Sequence, residues 1–142
     1  MANVIPDSFK TDLLKGTFNF DSSGGSTFKL ALYTDISGLT TSTTAFTTSN
    51  EVSTSGTSYS SGGNTLTNNG VAVASNIAFV DFADLTFSSV TLSAVGALIY
   101  KSGGSNEAVL VLDFGGTKTA TNGDFVVQFP IQVDCPKPFS VV

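Results

Sequence analysis

The chain has no histidine, no tryptophan and no arginine, and it has a single cysteine and a single methionine in 142 residues. Each absence removes a class of chemistry. Without histidine, the commonest general base is missing and the ordinary Ser-His-Asp arrangement cannot be built. One thiol, Cys135, forms no intrachain disulfide, and no imidazole is present to activate it as a nucleophile. Without arginine, and with a net charge of −5, the composition argues against nucleic acid as a partner. The six lysines, Lys10, Lys15, Lys29, Lys101, Lys118 and Lys137, are scattered along the chain. Charged residues make up only 12%, about half the usual ~25%, while hydrophobic residues make up 41%. That balance excludes ordinary intrinsic disorder, which combines low hydrophobicity with high net charge. No apolar run reaches the ~20 residues needed to span a bilayer, so no membrane is expected. The segment 1–15 lacks the continuous apolar core of a leader peptide, and no Asn-x-Ser/Thr sequon occurs.

Ser, Thr, Asn and Gly fill the space left by charge. Together with period-two apolar alternation they predict an all-β fold, a β-sandwich (jelly-roll-like or immunoglobulin-like) of about eight or nine short strands. The length suits a single domain, 1–142, with one short N-terminal helix and an extended C-terminal arm. The helix is expected over 8–14. Asp7 or Ser8 would cap it, Phe9 and Leu13 lie one turn apart, and Gly16 supplies the stop. At two turns it must dock on the sheet to persist.

From Thr17 the period changes to two. Phe18 and Phe20, a turn at 21–25, then Phe28, Leu30 and Leu32 read as a hairpin. Residues 36–76 are the least decisive stretch, either a flexible linker or short exposed strands between wide loops. Threonine content and recurrent apolar residues favour the strands. Asn69-Gly70 reads as a tight turn. The core is expected in the second half, in strands over 77–82, 85–87, 90–101 and 107–114. A Gly-Gly turn occupies 102–106 and a loop 115–123. A last alternating strand runs from Phe125 to Val133, with Pro130 interrupting its ladder. The 90–101 strand is apolar on both faces, with Leu92, Ala94, Leu98 and Tyr100 set against Val95, Ala97 and Ile99. It is therefore central, or covered by a second layer or subunit.

Candidate sites are few. Asp81 and Asp84 are the closest carboxylate pair, and loop capping is the simpler role for them. Calcium is the only metal whose oxygen preference matches the composition. No Asp-x-Asp-x-Asp-Gly loop is present, and Asn122-Gly123-Asp124 is more simply a turn tolerating positive φ. None of the paired glycines at 62–63, 103–104 and 115–116 precedes a helix with a lysine, as a phosphate-cradling loop requires. The expectation is no catalytic residue, no cofactor-binding residue, no metal ligand and no enzyme activity.

Several blocks, in order, resemble a group of small tailed-bacteriophage virion proteins. They are Leu13-Leu14-Lys15-Gly16-Thr17-Phe18-Asn19-Phe20-Asp21 followed by Thr27-Phe28-Lys29-Leu30-Ala31-Leu32-Tyr33-Thr34; Glu51-Val52-Ser53 followed by Gly56-Thr57-Ser58-Tyr59 and Gly62-Gly63-Asn64-Thr65-Leu66-Thr67; Phe79-Val80-Asp81-Phe82-Ala83-Asp84-Leu85-Thr86-Phe87; Ala97-Leu98-Ile99-Tyr100-Lys101; and Val111-Leu112-Asp113-Phe114-Gly115. The likeness spans about residues 10–130, and its weight lies in order and spacing; the proline-rich C-terminal tail has no counterpart in it. It implies a virion structural protein assembled in a host cytoplasm. The implied role is capsid decoration (cement), with the major capsid protein as partner and a homo-oligomer, trimer or dimer, as the assembly. Contacts are expected in 36–76 and in the terminal arms. Two other functions are open at this point: a tail or head-fibre adaptor or receptor-binding module, and a carbohydrate-binding module using Tyr33, Tyr59 or Tyr100 as exposed platforms.

Overall fold

The computed structural model describes residues 3–129 and 140–141. Pro130, Cys135 and the prolines of the tail lie outside the described residues, as does the stretch 130–133 of the last alternating strand. The protein is all-β, with two antiparallel sheets and one short helix. Helix α1 spans Asp7–Leu14. The strands are β1 (Phe28–Tyr33), β2 (Asn64–Thr65), β3 (Asn68–Ala74), β4 (Ile77–Phe82), β5 (Leu85–Lys101), β6 (Ala108–Val127) and β7 (Ser140–Val141). The larger sheet has the order β2-β1-β5-β6 and the smaller β3-β4-β7.

Helix α1 matches its expected position, but its start differs. Pro6 occupies the N-cap and no side chain caps the helix; Asp7 instead pairs with Lys10, and the Ser8 hydroxyl donates to the Thr43 carbonyl at 3.2 Å. Phe9 is the buried anchor. Its ring begins a chain of aromatic contacts, Phe9–Phe18 at 4.9 Å, Phe18–Phe20 at 6.0 Å, Phe20–Phe28 at 4.6 Å and Phe28–Phe82 at 5.8 Å, that ties the helix to both sheets. Offset and edge-on ring pairs of this kind fill a core without leaving a polar atom to satisfy.

Phe18 and Phe20 therefore serve the core, but not as a hairpin strand. Both edges of β1 are already taken, by β2 and β5, so 17–20 lays its rings under the sheet without joining it. The 19–26 loop is instead closed on itself, by the Ser26 N–H donating to the Asn19 carbonyl at 2.7 Å.

Among the described residues the strands are fewer and longer than expected. The segments read as 85–87 and 90–101 are one strand, β5, and Ala108–Val127 forms a single partner, β6. The long ladder survives because irregularities absorb the mismatches. Register shifts fall between Phe87 and Val90 and between Ala94 and Gly96. Opposite the second, residues 114–117 bulge out of β6 around Gly115 and Gly116, both at positive φ. Each shift turns the strand over. Leu92 and Ala94 consequently share the main core with Ala97 and Ile99, whereas Leu98 and Tyr100 face the opposite side. A strict period of two had placed them together.

Asn69-Gly70 is likewise a bulge inside β3, not a turn. The β3–β4 turn is Ser75-Asn76, both at positive φ (51° and 65°), flanked by the Ala74–Ile77 pair. The 102–106 turn lies where expected, joining β5 to β6.

Two buried clusters lie on opposite faces of the larger sheet. The main one combines α1, the phenylalanine chain and residues of both sheets, including Leu30, Leu32, Val80, Phe82, Val90 and Ile99. The second unites Tyr33, Leu98, Tyr100 and Val111 with Ile36 and Leu39, and Phe46 packs against it. The outer face of β5 is thus covered by this chain's own 36–46 segment, not by a second subunit. That segment is no linker: Ile36, Leu39, Val52, Tyr59 and Leu66 are buried anchors at intervals along 36–66.

Candidate functional site

The three tyrosines singled out in the sequence are gathered around one carboxylate, Glu51, and they lie inside the protein. Tyr33 is 0% exposed and Tyr59 and Tyr100 are 3% exposed, so none presents a ring face to a sugar. The expectation of exposed platforms is overturned. An aromatic with a polar tip is held inside when its hydroxyl finds a partner, and all three do. Tyr33 donates to the Thr47 carbonyl at 2.6 Å, Tyr100 to the Gly62 carbonyl at 2.8 Å and Tyr59 to Glu51 Oε1 at 2.8 Å.

Glu51 is the centre of this arrangement, and residue chemistry alone had not singled it out. Its carboxylate also accepts from the Gly62 N–H at 2.6 Å and, through Oε2, from the Ser61 hydroxyl at 2.8 Å. Tyr59 closes the circuit, because its oxygen accepts the Leu32 N–H of β1 at 3.0 Å while its proton goes to Glu51. Val52 N–H donates to the Leu32 carbonyl at 2.9 Å and Thr34 N–H to the Asn50 carbonyl. One carboxylate thereby fixes 50–63 to the edge of β1. The available signal was isolation: Glu51 is the only charged residue between Asp35 and Asp81. A lone charge in a neutral stretch needs local donors to be worth its desolvation.

Burial pushes all three tyrosine hydroxyls above their ordinary range, with the Glu51 carboxylate adding to it for each. A tyrosine in the unfolded chain ionises near 10, and the folded protein holds the proton to higher pH. The folded state therefore binds more protons at alkaline pH. The tyrosine contribution to stability is complete below about pH 10 and falls above it, by at most about 1.4 kcal/mol per pH unit for each tyrosine involved. Thermal melts between about pH 8 and 12 should show this decline, and Tyr59→Phe should make it shallower. An unchanged slope in the variant would show that Tyr59 does not contribute.

The two aspartates do not face one another across a cleft. Asp81 Oδ2 accepts from the Asn69 side-chain amide at 2.8 Å, bracing the bulge in β3. Asp84 Oδ1 accepts the Phe129 N–H at 2.8 Å, fixing the end of the β6 segment against the β4–β5 connection. Asp84 thus caps a connection as expected, whereas Asp81 lies within β4 and braces a bulge instead of capping a loop. Asn122-Gly123-Asp124 lies within β6 at an irregular register, not in a turn. Asn122 has the positive φ expected (47°), its N–H donates to Thr91 Oγ1, and Asp124 accepts the Ser89 N–H. Among the described residues no three His, Cys, Asp or Glu side chains gather as a metal site. Lys10 and Lys15 are engaged by Asp7 and Asp12 on α1, and Lys101 donates to the Thr17 carbonyl.

What the tyrosine–glutamate clamp builds is a shaped surface. Thr40, Thr41, Ser42, Thr44, Thr48, Ser49, Ser53, Thr54 and Ser60 are exposed on segments whose backbones are anchored by buried residues and by Glu51. These segments display hydroxyls, and the sole carboxylate within 40–60 is spent on internal bonds. Compared with protein-family models, curated proteins and solved structures, the chain matches none.

Proposed function

We propose that this protein is a tailed-bacteriophage capsid decoration (cement) protein that binds the outer capsid surface through the major capsid protein and stabilises the head. The observation that carries the reading is the neutral, hydroxyl-rich exposed surface of 40–60, of which 50–60 is tied down by Glu51 and Tyr59 and the earlier part by the buried Ile36 and Leu39. Such a face is suited to a protein surface, since it offers polar contacts with no charge to desolvate and little ordering entropy to lose on docking. The resemblance supports the reading in a specific way. One of its blocks runs through Glu51, Tyr59 and Gly62, which meet in the clamp, and on through Gly63 and Leu66. Many equivalent sites on a capsid, occupied by an oligomer, would give tight attachment from individually modest contacts.

The test is to add the purified protein to capsids lacking it and to follow particle melting and resistance to osmotic shock. Higher melting and survival are expected. Thr41→Lys with Ser49→Lys, two exposed changes, should lower occupancy while leaving the fold intact. Equal melting with and without the protein would overturn the reading. Immunogold label confined to the tail would place it instead as an adaptor or receptor-binding module.

A further inference from the structure

The smaller sheet ends in an open edge. β3 pairs with β4 on one side, and its first residues are covered: Asn68 Nδ2 donates to the Phe20 carbonyl, and Gly70 lies against Ser22. Beyond Gly70 nothing among the described residues pairs with the outer side of 71–74. The β3–β4 register tells which backbone groups are left over. Ser75-Asn76 is a two-residue turn, so the flanking Ala74–Ile77 pair exchanges hydrogen bonds, as does Ala72–Phe79 two residues further on. The N–H and C=O groups of Val71 and Val73 therefore point outward. Their side chains are also exposed, 54% for Val71 and 71% for Val73.

An edge strand is normally protected by lysine, proline, an inward charge or a bulge that twists it away. The Gly70 bulge protects only the start of this one. No charged residue occurs between Glu51 and Asp81, so 71–74 carries none of the usual guards although the chain as a whole is at −5.

We propose that β3 pairs with β3 of a second copy of this chain, antiparallel about a two-fold axis through Ala72. The sequence Val71-Ala72-Val73 is its own complement in that arrangement. Val71 of one copy lies opposite Val73 of the other, and each of these pairs joins two residues whose free backbone groups face each other. Ala72 lies opposite Ala72 in the wide, non-bonded position that separates such pairs. The valines of both copies fall on one face, giving β-branched cross-strand contacts. A two-fold axis makes the interface closed, so pairing ends at the dimer and does not propagate into a fibre. The like-charge repulsion of two acidic chains is least where neither carries charge. A second copy is the occupant because the edge calls for a β-strand, and its neutral palindromic pattern matches itself in register.

Dimerisation is separable from capsid binding, since it is read on the protein alone. Sedimentation equilibrium of the full chain should show a reversible monomer–dimer equilibrium. Val73→Lys puts a charge on the edge, and Val73→Pro removes an outward N–H that the β3–β4 ladder does not use. Each should weaken the dimer at least tenfold with an unchanged circular dichroism spectrum. If one variant fails to fold, the other and Val71→Lys serve in its place. A wild-type chain that stays monomeric up to about 1 mM, where even weak association is populated, would overturn the proposal. So would an oligomer, dimer or trimer, whose dissociation constant is the same in the folded variants, or pairing of this edge that occurs only on capsids.

Discussion

Gly63→Ala should cost the protein about 3 kcal/mol or more in urea unfolding, the largest loss expected from adding one carbon. Gly63 has φ of 72°, and a Cβ placed on it would overlap the Leu30 carbonyl oxygen and lie 2.8 Å from the Ala31 Cα. Both obstacles are backbone atoms of the buried strand β1, so no rotamer change can move them aside. The left-handed conformation alone costs about 1–2 kcal/mol for a residue with a Cβ. The remainder is the displacement of the chain from β1, with loss of the short β1–β2 ladder at Leu30–Asn64. Gly103→Ala is the matching control. Gly103 also has positive φ, 98°, but a Cβ there meets nothing within 4 Å. It should lose only the conformational part, and equal losses at the two positions would show that the collision with β1 is relieved at no cost.

That pair of glycines also shows what could be read in the sequence and what could not. Paired glycines mark positions of positive φ, but they do not say whether the chain turns, bulges or presses against a neighbour. Gly103-Gly104 forms the β5–β6 turn as expected, Gly115-Gly116 is a bulge within β6, and Gly62-Gly63 is a close approach to β1. Asn69-Gly70 misled for the same reason, since a β-bulge and a tight turn make the same demand on φ. The real β3–β4 turn uses Ser75-Asn76, without glycine. Alternation placed β1 and its buried Phe28, Leu30 and Leu32 correctly because no bulge interrupts that strand. It failed across Val95-Gly96, where the register shift reverses the faces. The tyrosines were legible as amphipathic side chains. Which end faces solvent depends on partners distant in sequence, such as Gly62 for Tyr100, and period and propensity carry no information about those.

Glu51→Ala should destabilise the fold by about 1–3 kcal/mol, the range for leaving buried donors without their acceptor, since Glu51 itself is half-buried but the Gly62 and Tyr59 donors it serves are buried. Four groups depend on the carboxylate or on what it holds. The Gly62 N–H and the Ser61 hydroxyl lose their acceptor outright. The Tyr59 hydroxyl, 3% exposed as a residue and buried against β1, keeps the Leu32 N–H as donor but has no acceptor for its own proton. Tyr100 bonds the Gly62 carbonyl, so any shift of that turn strains a second buried hydroxyl. Glu51→Gln separates charge from connectivity. Its amide oxygen can take the Oε1 role toward Tyr59 and Gly62, and its nitrogen can donate to Ser61, whose hydroxyl is free to rotate and accept. It should therefore cost well under half as much as the alanine change. If the two variants unfold alike, the negative charge itself, and not the set of bonds it collects, holds the clamp. If neither loses stability, the clamp does not hold 50–63 against β1. The exposed surface of 50–60 would then not depend on it, and under the proposed function Glu51→Ala would leave capsid attachment untouched. With the carboxylate as the tie between 50–63 and β1, Glu51→Ala should instead loosen that segment locally, seen as faster amide exchange at Gly62 and Val52. If the proposed capsid role holds, it should also lower capsid occupancy at temperatures where the rest of the fold is intact.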